Sequence, residues 1–213
     1  MTCPAPVGAV PLPRTVVLGL GNPVRRDDGV GLAVAEAVRQ SLVSAPLPAV
    51  EVATSTRAGF EIIDLLHGCA RAIIVDCLDV PRPRPGRVRR LGLDAIEGAP
   101  RLVDAHGLSL PLAFRLAHSL GIPMPSQVEI LGVEAADCLT LGETLTPAVQ
   151  AAVQPLAREI LLRLVLARGR PPAAPHAAPQ RARLTRAPVE RAARALGPMY
   201  AKRGCKGGRA SDG

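Results

Sequence analysis

The sequence predicts an α/β fold in which a mostly parallel sheet carries helices on both of its faces. Two observations support this prediction. Short apolar runs recur along the chain, and between them apolar residues repeat every three or four positions, as they do on the buried face of a helix. Alternation of strands and helices in this order is typical of parallel sheets whose two faces are both covered.

Five segments are predicted to be strands. Three of them have short apolar centres, as expected for strands that are covered on both faces: Thr15–Leu20, Arg71–Leu78 and Gln127–Glu134. Two others have a weaker, alternating pattern: Val50–Ser55 and Arg87–Leu93. The second of these is expected nearer an edge of the sheet.

Four helices are predicted from the spacing of apolar residues. They are Gly29–Leu42, Ala58–Leu66, Leu108–Leu120 and a last helix that runs from Thr146 towards Arg168. Thr146 and Pro147 supply that helix with an N-cap and a first-turn proline. Pro155 is expected to interrupt and kink it, because a proline inside a helix has no N–H to donate.

The composition indicates one domain with an aliphatic core and terminal extensions. The chain has 213 residues, of which 48% are apolar but only three are aromatic. Its five cysteines are odd in number and never spaced as C-x-x-C, which argues against a disulfide framework and against a structural zinc site. The N-terminus does not resemble a secretory signal, and no apolar run is long enough for a membrane span. These features predict a cytoplasmic protein without a membrane partner.

The net charge of +8 is concentrated at the C-terminus. Residues 168–213 carry 11 Lys or Arg and 2 acids, whereas residues 1–167 carry 15 basic and 16 acidic groups, a net of −1. The C-terminal stretch is rich in Pro, Ala and Arg and offers little to bury, so we expect a flexible, solvated tail. With one aromatic residue it has almost no surface for stacking bases, and nucleic acid is not an expected partner. The predicted organisation is a flexible segment 1–13, a folded domain 14–168 and the tail 169–213.

The stretch GLGNPVRRDDGVG follows the first predicted strand and resembles a nucleotide-binding turn only in part. Gly19 and Gly21 fit such a turn, but Val24 occupies the place of the third glycine. Asp27 and Asp28 add negative charge where a phosphate would need free backbone N–H groups. A nucleotide-binding module is therefore the weaker alternative, and no nucleotide cofactor is expected.

Acids and a histidine follow several of the predicted strands. Asp27 and Asp28 follow the first strand, Asp76 lies at the end of the apolar run AIIV, and His106 lies in the loop DAHGLS. Because ligands of parallel sheets bind beyond the carboxyl ends of the strands, these groups are expected at one edge. Carboxylates with an imidazole suit a divalent metal held by O and N ligands, and they also suit acid–base catalysis.

Each of these residues also has a structural interpretation, which the spacing alone leaves open. Asp28 could cap the helix that begins near Gly29, where a carboxylate accepts N–H bonds. Asp76 could bind the backbone of a loop. His106 could be a surface or capping residue.

Four motifs together resemble the nickel–iron hydrogenase maturation endopeptidases. GLGNPVRRDDGVG is similar to the opening motif of that family, and the similarity continues in order through TSTRAGFEIIDLLHGCARAIIVDCLD, DAHGLSLPLAF and ILGVEAADCLTLGETLTPAVQAAV. It covers about residues 15–166 and excludes both termini. The resemblance implies a three-layer α/β/α sandwich on a twisted five-stranded sheet.

The resemblance also implies an activity and a partner. The family removes the C-terminal extension of a hydrogenase large subunit after nickel has been inserted. The expected partner is therefore a nickel-loaded large-subunit precursor, and the expected metal is nickel supplied by that substrate. A peptidase of the same fold that acts on another metalloprotein is the alternative.

Matched motif by motif, the metal-site triad of the family falls on Asp28, Asp76 and His106. The resemblance implies that these three residues both bind the metal and carry the catalysis. Either the metal polarises the scissile carbonyl or activates a water, or one of the carboxylates is the general base and the metal serves for docking.

The first turn is expected to aim the carboxylate of Asp28. Gly19, Gly21 and Asn22 would let the chain reverse closely, since glycine tolerates φ > 0 and close backbone approach. Gly29 and Gly31 would let the following helix begin tight against the sheet.

Overall fold

The computed structural model describes residues 14–56, 60–93 and 110–167. The predicted segment 1–13, His106 with its loop, and the basic tail lie outside the described residues. The described strands are β1 (Thr15–Leu20), β2 (Val50–Ser55), β3 (Arg71–Leu78), β4 (Val88–Leu91) and β5 (Gln127–Glu134). The described helices are α1 (Val30–Ser44), α2 (Phe60–Leu66), α3 (Leu110–Ser119) and α4 (Pro147–Ala167), and a 3-10 turn (Arg26–Gly29) precedes α1.

The five strands form one sheet in the order β2-β1-β3-β5-β4. The pairs β1–β2, β1–β3 and β3–β5 are parallel, and β4 runs antiparallel to β5 at the edge. The predicted α/β fold with a mostly parallel five-stranded sheet is confirmed, and so is the edge position of the fourth strand. The carboxyl ends of β1, β3 and β5 lie at the same edge of the sheet.

Alternate side chains of the central strands pack on opposite faces of the sheet, as the period of a strand requires. One face contacts α1 and α4 through Val17, Ile73, Val75, Leu131 and Val133. The other face contacts α2 and α3 through Val16, Leu18, Ile74 and Ile130. Both faces are therefore covered, and this explains why β1, β3 and β5 have apolar centres.

Helix α4 does not end at Pro155, contrary to the interruption expected from the sequence. The proline cannot donate to the carbonyl of Ala151 one turn earlier. Both residues are exposed, so water can reach that carbonyl. Among the described residues, no helix has the length and apolar character needed to cross a bilayer; the cytoplasmic location stays a prediction.

Candidate active site

The turn after β1 depends on Gly21. Its φ is +145°, and a Cβ atom there would lie 1.9 Å from the backbone oxygen of Asp28. A side chain at this position would therefore collide with the backbone that carries the candidate catalytic carboxylate. Asn22 supports the same turn, because its Oδ1 accepts a hydrogen bond from the N–H of Val24 at 3.1 Å.

Helix α1 begins in close contact with the sheet. A Cβ at Gly19 would lie 2.3 Å from the carbonyl oxygen of Gly31, and a Cβ at Gly31 would lie 2.3 Å from that of Val75 in β3. These two glycines thus bring β1, α1 and β3 together at the carboxyl edge. At Gly29 the nearest atom to an added Cβ would be 3.5 Å away. This is an ordinary contact, so close packing does not require glycine there.

Asp27 is fully buried and joins the first turn to the loop between β5 and α4. Its Oδ2 accepts hydrogen bonds from the backbone N–H groups of Ala136 and Asp137 and from the hydroxyl of Thr146. Its Oδ1 accepts one from the N–H of Thr146 at 2.6 Å. Sequence reasoning missed this role, although two adjacent acids in a tight turn are a signal that one of them points inward.

Asp28 is also buried, with 3% of its surface exposed, and lies in the 3-10 turn before α1. The N-cap position of α1 belongs to Gly29, so the interpretation of Asp28 as the N-cap residue is wrong. The backbone of Asp28 is fixed by its contact with Gly21 on one side and by the bonds of Asp27 on the other.

Asp76 lies near the carboxyl end of β3 and is half-buried. Its Oδ1 accepts a hydrogen bond from the N–H of Cys77 at 2.7 Å. Strand β3 is the direct neighbour of β1, and Gly19 pairs with Val75. Asp28, after β1, and Asp76, near the end of β3, therefore belong to adjacent parallel strands at the same edge of the sheet, as the sequence predicts.

The thiol of Cys77 reports the electrostatics of this edge. Burial raises its pKa first, and the negative charges of Asp76, Asp28 and Asp27 raise it further, beside the neighbouring thiol of Cys138. Both candidate carboxylates are thus close enough to act on one buried group. Because the thiol stays protonated near neutral pH, Cys77 is not a nucleophile there.

Glu134, at the end of β5, holds the loop that follows β3. Its buried carboxylate accepts hydrogen bonds from the N–H of Arg84 at 2.6 Å and from Nε of Arg89 at 2.7 Å. Burial alone would raise the pKa of Glu134, but these bonds and the charges of Arg89 and Arg87 outweigh it and lower the pKa. The sequence analysis assigned no role to Glu134. The available signal was an acid at the end of an apolar strand, the same pattern as Asp76.

Two members of the predicted triad, Asp28 and Asp76, lie in the described part of the chain and His106 does not. Within residues 14–56, 60–93 and 110–167, no three His, Cys, Asp or Glu side chains are grouped so as to hold a metal ion. The triad as a whole stays a prediction.

The family model described as hydrogenase maturation protease matches residues 32–163. The chain belongs to the hydrogenase maturation protease family. The matched range includes Asp76 and the position of His106 and begins four residues after Asp28. The resemblance seen in the four motifs is confirmed.

Relatives of known name agree with this assignment. The hydrogenase expression/formation protein HupD of Rhizobium leguminosarum bv. viciae is 27% identical over 169 residues, which is 78% of this chain and 80% of that protein. The hydrogenase 2 maturation protease of Escherichia coli strain K12 is 26% identical over 153 residues, 71% of this chain and 90% of that protein.

Two solved structures share the fold. The hydrogenase maturating endopeptidase HybD from Escherichia coli has a TM-score of 0.60 at 24% identity, covering 72% of this chain and 93% of its own. The hydrogenase maturation protease HycI from Thermococcus kodakarensis has a TM-score of 0.55 at 21% identity, covering 71% and 92%. As a family member the protein is a peptide hydrolase, and the predicted activity, removal of the C-terminal extension of a hydrogenase large subunit, is confirmed.

Proposed function

We propose that the protein cuts a nickel–iron hydrogenase large-subunit precursor only after nickel has been inserted, and that Asp28, Asp76 and His106 bind that nickel. The observation that supports this most is the placement of two acids. Asp28 is buried and Asp76 half-buried, and they follow adjacent strands at the carboxyl edge.

Two carboxylates in a poorly solvated place repel one another, and each loses solvation energy on burial. A divalent cation between them would offset both costs. The cation in this proposal belongs to the substrate, so the uncut precursor brings it to the two acids. Recognition of the metal then acts as a checkpoint, because a precursor without nickel offers no cation to the two acids.

His106 would complete the ligand set with a nitrogen donor, and a mixed O and N set suits a borderline divalent metal such as nickel. Its place is argued from its neighbours in the chain. Helix α3 begins at Leu110, four residues after His106, and leads into β5 through residues 120–126. Helix α3 follows the antiparallel strand β4 and leads into the amino end of β5, so we expect it to begin towards the carboxyl edge, with His106 near Asp28 and Asp76.

Hydrolysis of the peptide needs an activated water, and two routes to it can be distinguished. If the nickel activates the water, exchange of nickel for another divalent ion in the precursor should move the pH–rate profile, since the pKa of a metal-bound water depends on the ion. If Asp28 or Asp76 is the general base and the metal only docks the substrate, the pH–rate profile should follow the pKa of that carboxylate and should not change when the ion is exchanged.

The test is intact mass spectrometry of a precursor incubated with the protein. With nickel-loaded precursor, the wild-type chain should remove the C-terminal extension, whereas Asp28→Asn, Asp76→Asn and His106→Ala should leave the precursor uncut. The matched controls are exposed residues of the same types, Asp64→Asn and His118→Ala, which should cut at the wild-type rate.

Two results would count against the proposal. Cleavage of nickel-free precursor at the same rate as nickel-loaded precursor would show that cleavage does not depend on the metal. Wild-type cleavage by any one of the three triad variants would remove that residue from the site.

A further inference from the structure

Three large aliphatic side chains are exposed beside the turn that carries Asp28. Val24 is 47% exposed, Leu139 is 72% exposed and Leu141 is 79% exposed. We call these three residues the apolar corner. Single exposed aliphatic residues are common on protein surfaces, but these three lie on two segments that are bonded to each other.

Backbone hydrogen bonds join the two segments. The N–H of Gly142 donates to the carbonyl of Val24 at 3.0 Å, and the N–H of Arg26 donates to the carbonyl of Gly142 at 2.7 Å. This pattern is a parallel bridge between Arg25 and Gly142. One residue earlier in the same register, Val24 lies opposite Leu141, and opposed residues of a parallel pair project to the same side.

Side-chain hydrogen bonds also fix the backbone of the apolar corner. Oδ1 of Asp137 accepts hydrogen bonds from the N–H groups of Leu139 and Thr140 at 3.2 and 3.0 Å. The carboxylate of Asp27 binds the start of the same loop at Ala136 and the end of it at Thr146. The exposed side chains therefore stand on a backbone that is already ordered, and little entropy would be lost when a partner binds them.

We propose that the apolar corner is the surface on which the body of the large-subunit precursor docks, through an apolar patch next to its C-terminal extension. This inference rests on the proposed function. Val24 precedes Asp28 by four residues in the chain, so the corner lies beside the segment that would hold the cleavage site of a folded substrate. Residues 1–167 carry a net charge of −1, which gives no strong field to attract a charged partner. At the corner itself, the three exposed aliphatic side chains offer a partner apolar contact.

Val43 provides a matched control. It is 79% exposed, like Leu141, but it lies at the far end of α1, whose first turn contacts the carboxyl edge. A helix of 15 residues is about 22 Å long, so Val43 is distant from Asp28. Serine at Val43 and at Leu141 replaces an aliphatic side chain of the same exposed fraction at two different places, the valine being the smaller of the two.

The experiment measures kcat and KM for removal of the extension, using the full chain and each nickel-loaded large-subunit precursor of the source organism. Leu141→Ser and Val24→Ser should each raise KM about tenfold with kcat nearly unchanged, because the scissile bond and Asp28 are untouched. Leu141→Met should keep a KM near that of the wild type, and Val43→Ser should change neither constant. Thermal unfolding should be the same for all variants, since the substituted side chains are exposed.

Unchanged KM in both serine variants would overturn the inference while leaving the proposed function intact. Unchanged KM together with loss of self-association in analytical ultracentrifugation would overturn it too, because the corner would then join two copies of the chain. Failure of the wild-type chain to cut any of these precursors would overturn the proposed function, and the docking surface with it.

Discussion

Replacement of Asp27 by alanine should destabilise the fold by about 3–5 kcal/mol. The carboxylate accepts four hydrogen bonds, three of them from backbone N–H groups of Ala136, Asp137 and Thr146. Each buried donor left without a partner costs about 1–3 kcal/mol, and the low end applies where water can enter the space left by the side chain. Three donors at about 1 kcal/mol each give the lower bound, and the lost bond to the Thr146 hydroxyl brings the loss to about 4 kcal/mol.

Two milder variants should lower the free energy of unfolding by smaller amounts, because each removes fewer of the same hydrogen bonds. Asp27→Asn keeps the shape and one acceptor oxygen but turns an amide N–H₂ towards a donor, so a loss of about 1–3 kcal/mol is expected. Thr146→Val removes only the hydroxyl bond, for a loss of about 1 kcal/mol. Because Asp28 is the next residue, both Asp27 variants should also slow cleavage, whereas Thr146→Val should slow it least.

The assay is urea unfolding followed by far-ultraviolet circular dichroism, since the chain has no tryptophan. The order of stability should be wild type, Thr146→Val, Asp27→Asn and Asp27→Ala, with an unchanged slope against urea. A free energy of unfolding for Asp27→Ala within about 0.5 kcal/mol of the wild type would refute the role of Asp27 as the link between the first turn and the β5–α4 loop.

Three further predictions test the turn, the loop after β3 and the tail. Gly21→Val should lose activity and most of its folded population, because φ is +145° and the new Cβ would lie 1.9 Å from the backbone oxygen of Asp28. Gly92→Val is the control, since no atom lies within 4 Å of a Cβ at that position. Wild-type cleavage by Gly21→Val would contradict the described turn. Glu134→Gln should lower Tm at pH 7, and this deficit should shrink as the pH falls below 4.5. The lowered pKa makes the carboxylate stabilising above its ordinary value of 4.5, and the contribution is lost as pH falls through the folded value; a deficit that stays constant as the pH falls would contradict this. Deletion of residues 172–213 should leave Tm and cleavage nearly unchanged, and a large fall in Tm would mean that the tail packs on the domain.

The sequence predicts the sheet well because its central strands are covered on both faces. The predicted bounds of β1, β3 and β5 match the observed ones, because the buried centres of these strands are almost entirely apolar. The edge strand is less regular: the alternating pattern of Arg87–Leu93 indicates a strand but says nothing about its direction. Its antiparallel direction agrees with the short connection from β3, which ends at Leu78 while β4 begins at Val88, because a parallel strand would need a longer crossover.

The positions of the candidate site residues can be predicted from the sequence only in part, for a related reason. Strand ends can be located from sequence, so Asp28 and Asp76 are correctly expected at one edge. Both acids of the adjacent pair are buried, and the role of Asp27 depends on donors at Ala136, Asp137 and Thr146, more than 100 residues away in sequence. A local pattern carries no information about such distant partners.

The most direct test of the central claim, that Asp28, Asp76 and His106 form one metal site, is calorimetric titration of nickel(II) into the full chain. The wild-type chain should bind one nickel ion at this site, and Asp28→Asn, Asp76→Asn and His106→Ala should each weaken that binding about tenfold or more. The triple variant measures any nickel bound elsewhere, and Asp64→Asn should bind as the wild type does. Wild-type affinity in any of the three single variants, or a wild-type titration identical to that of the triple variant, would contradict the claim.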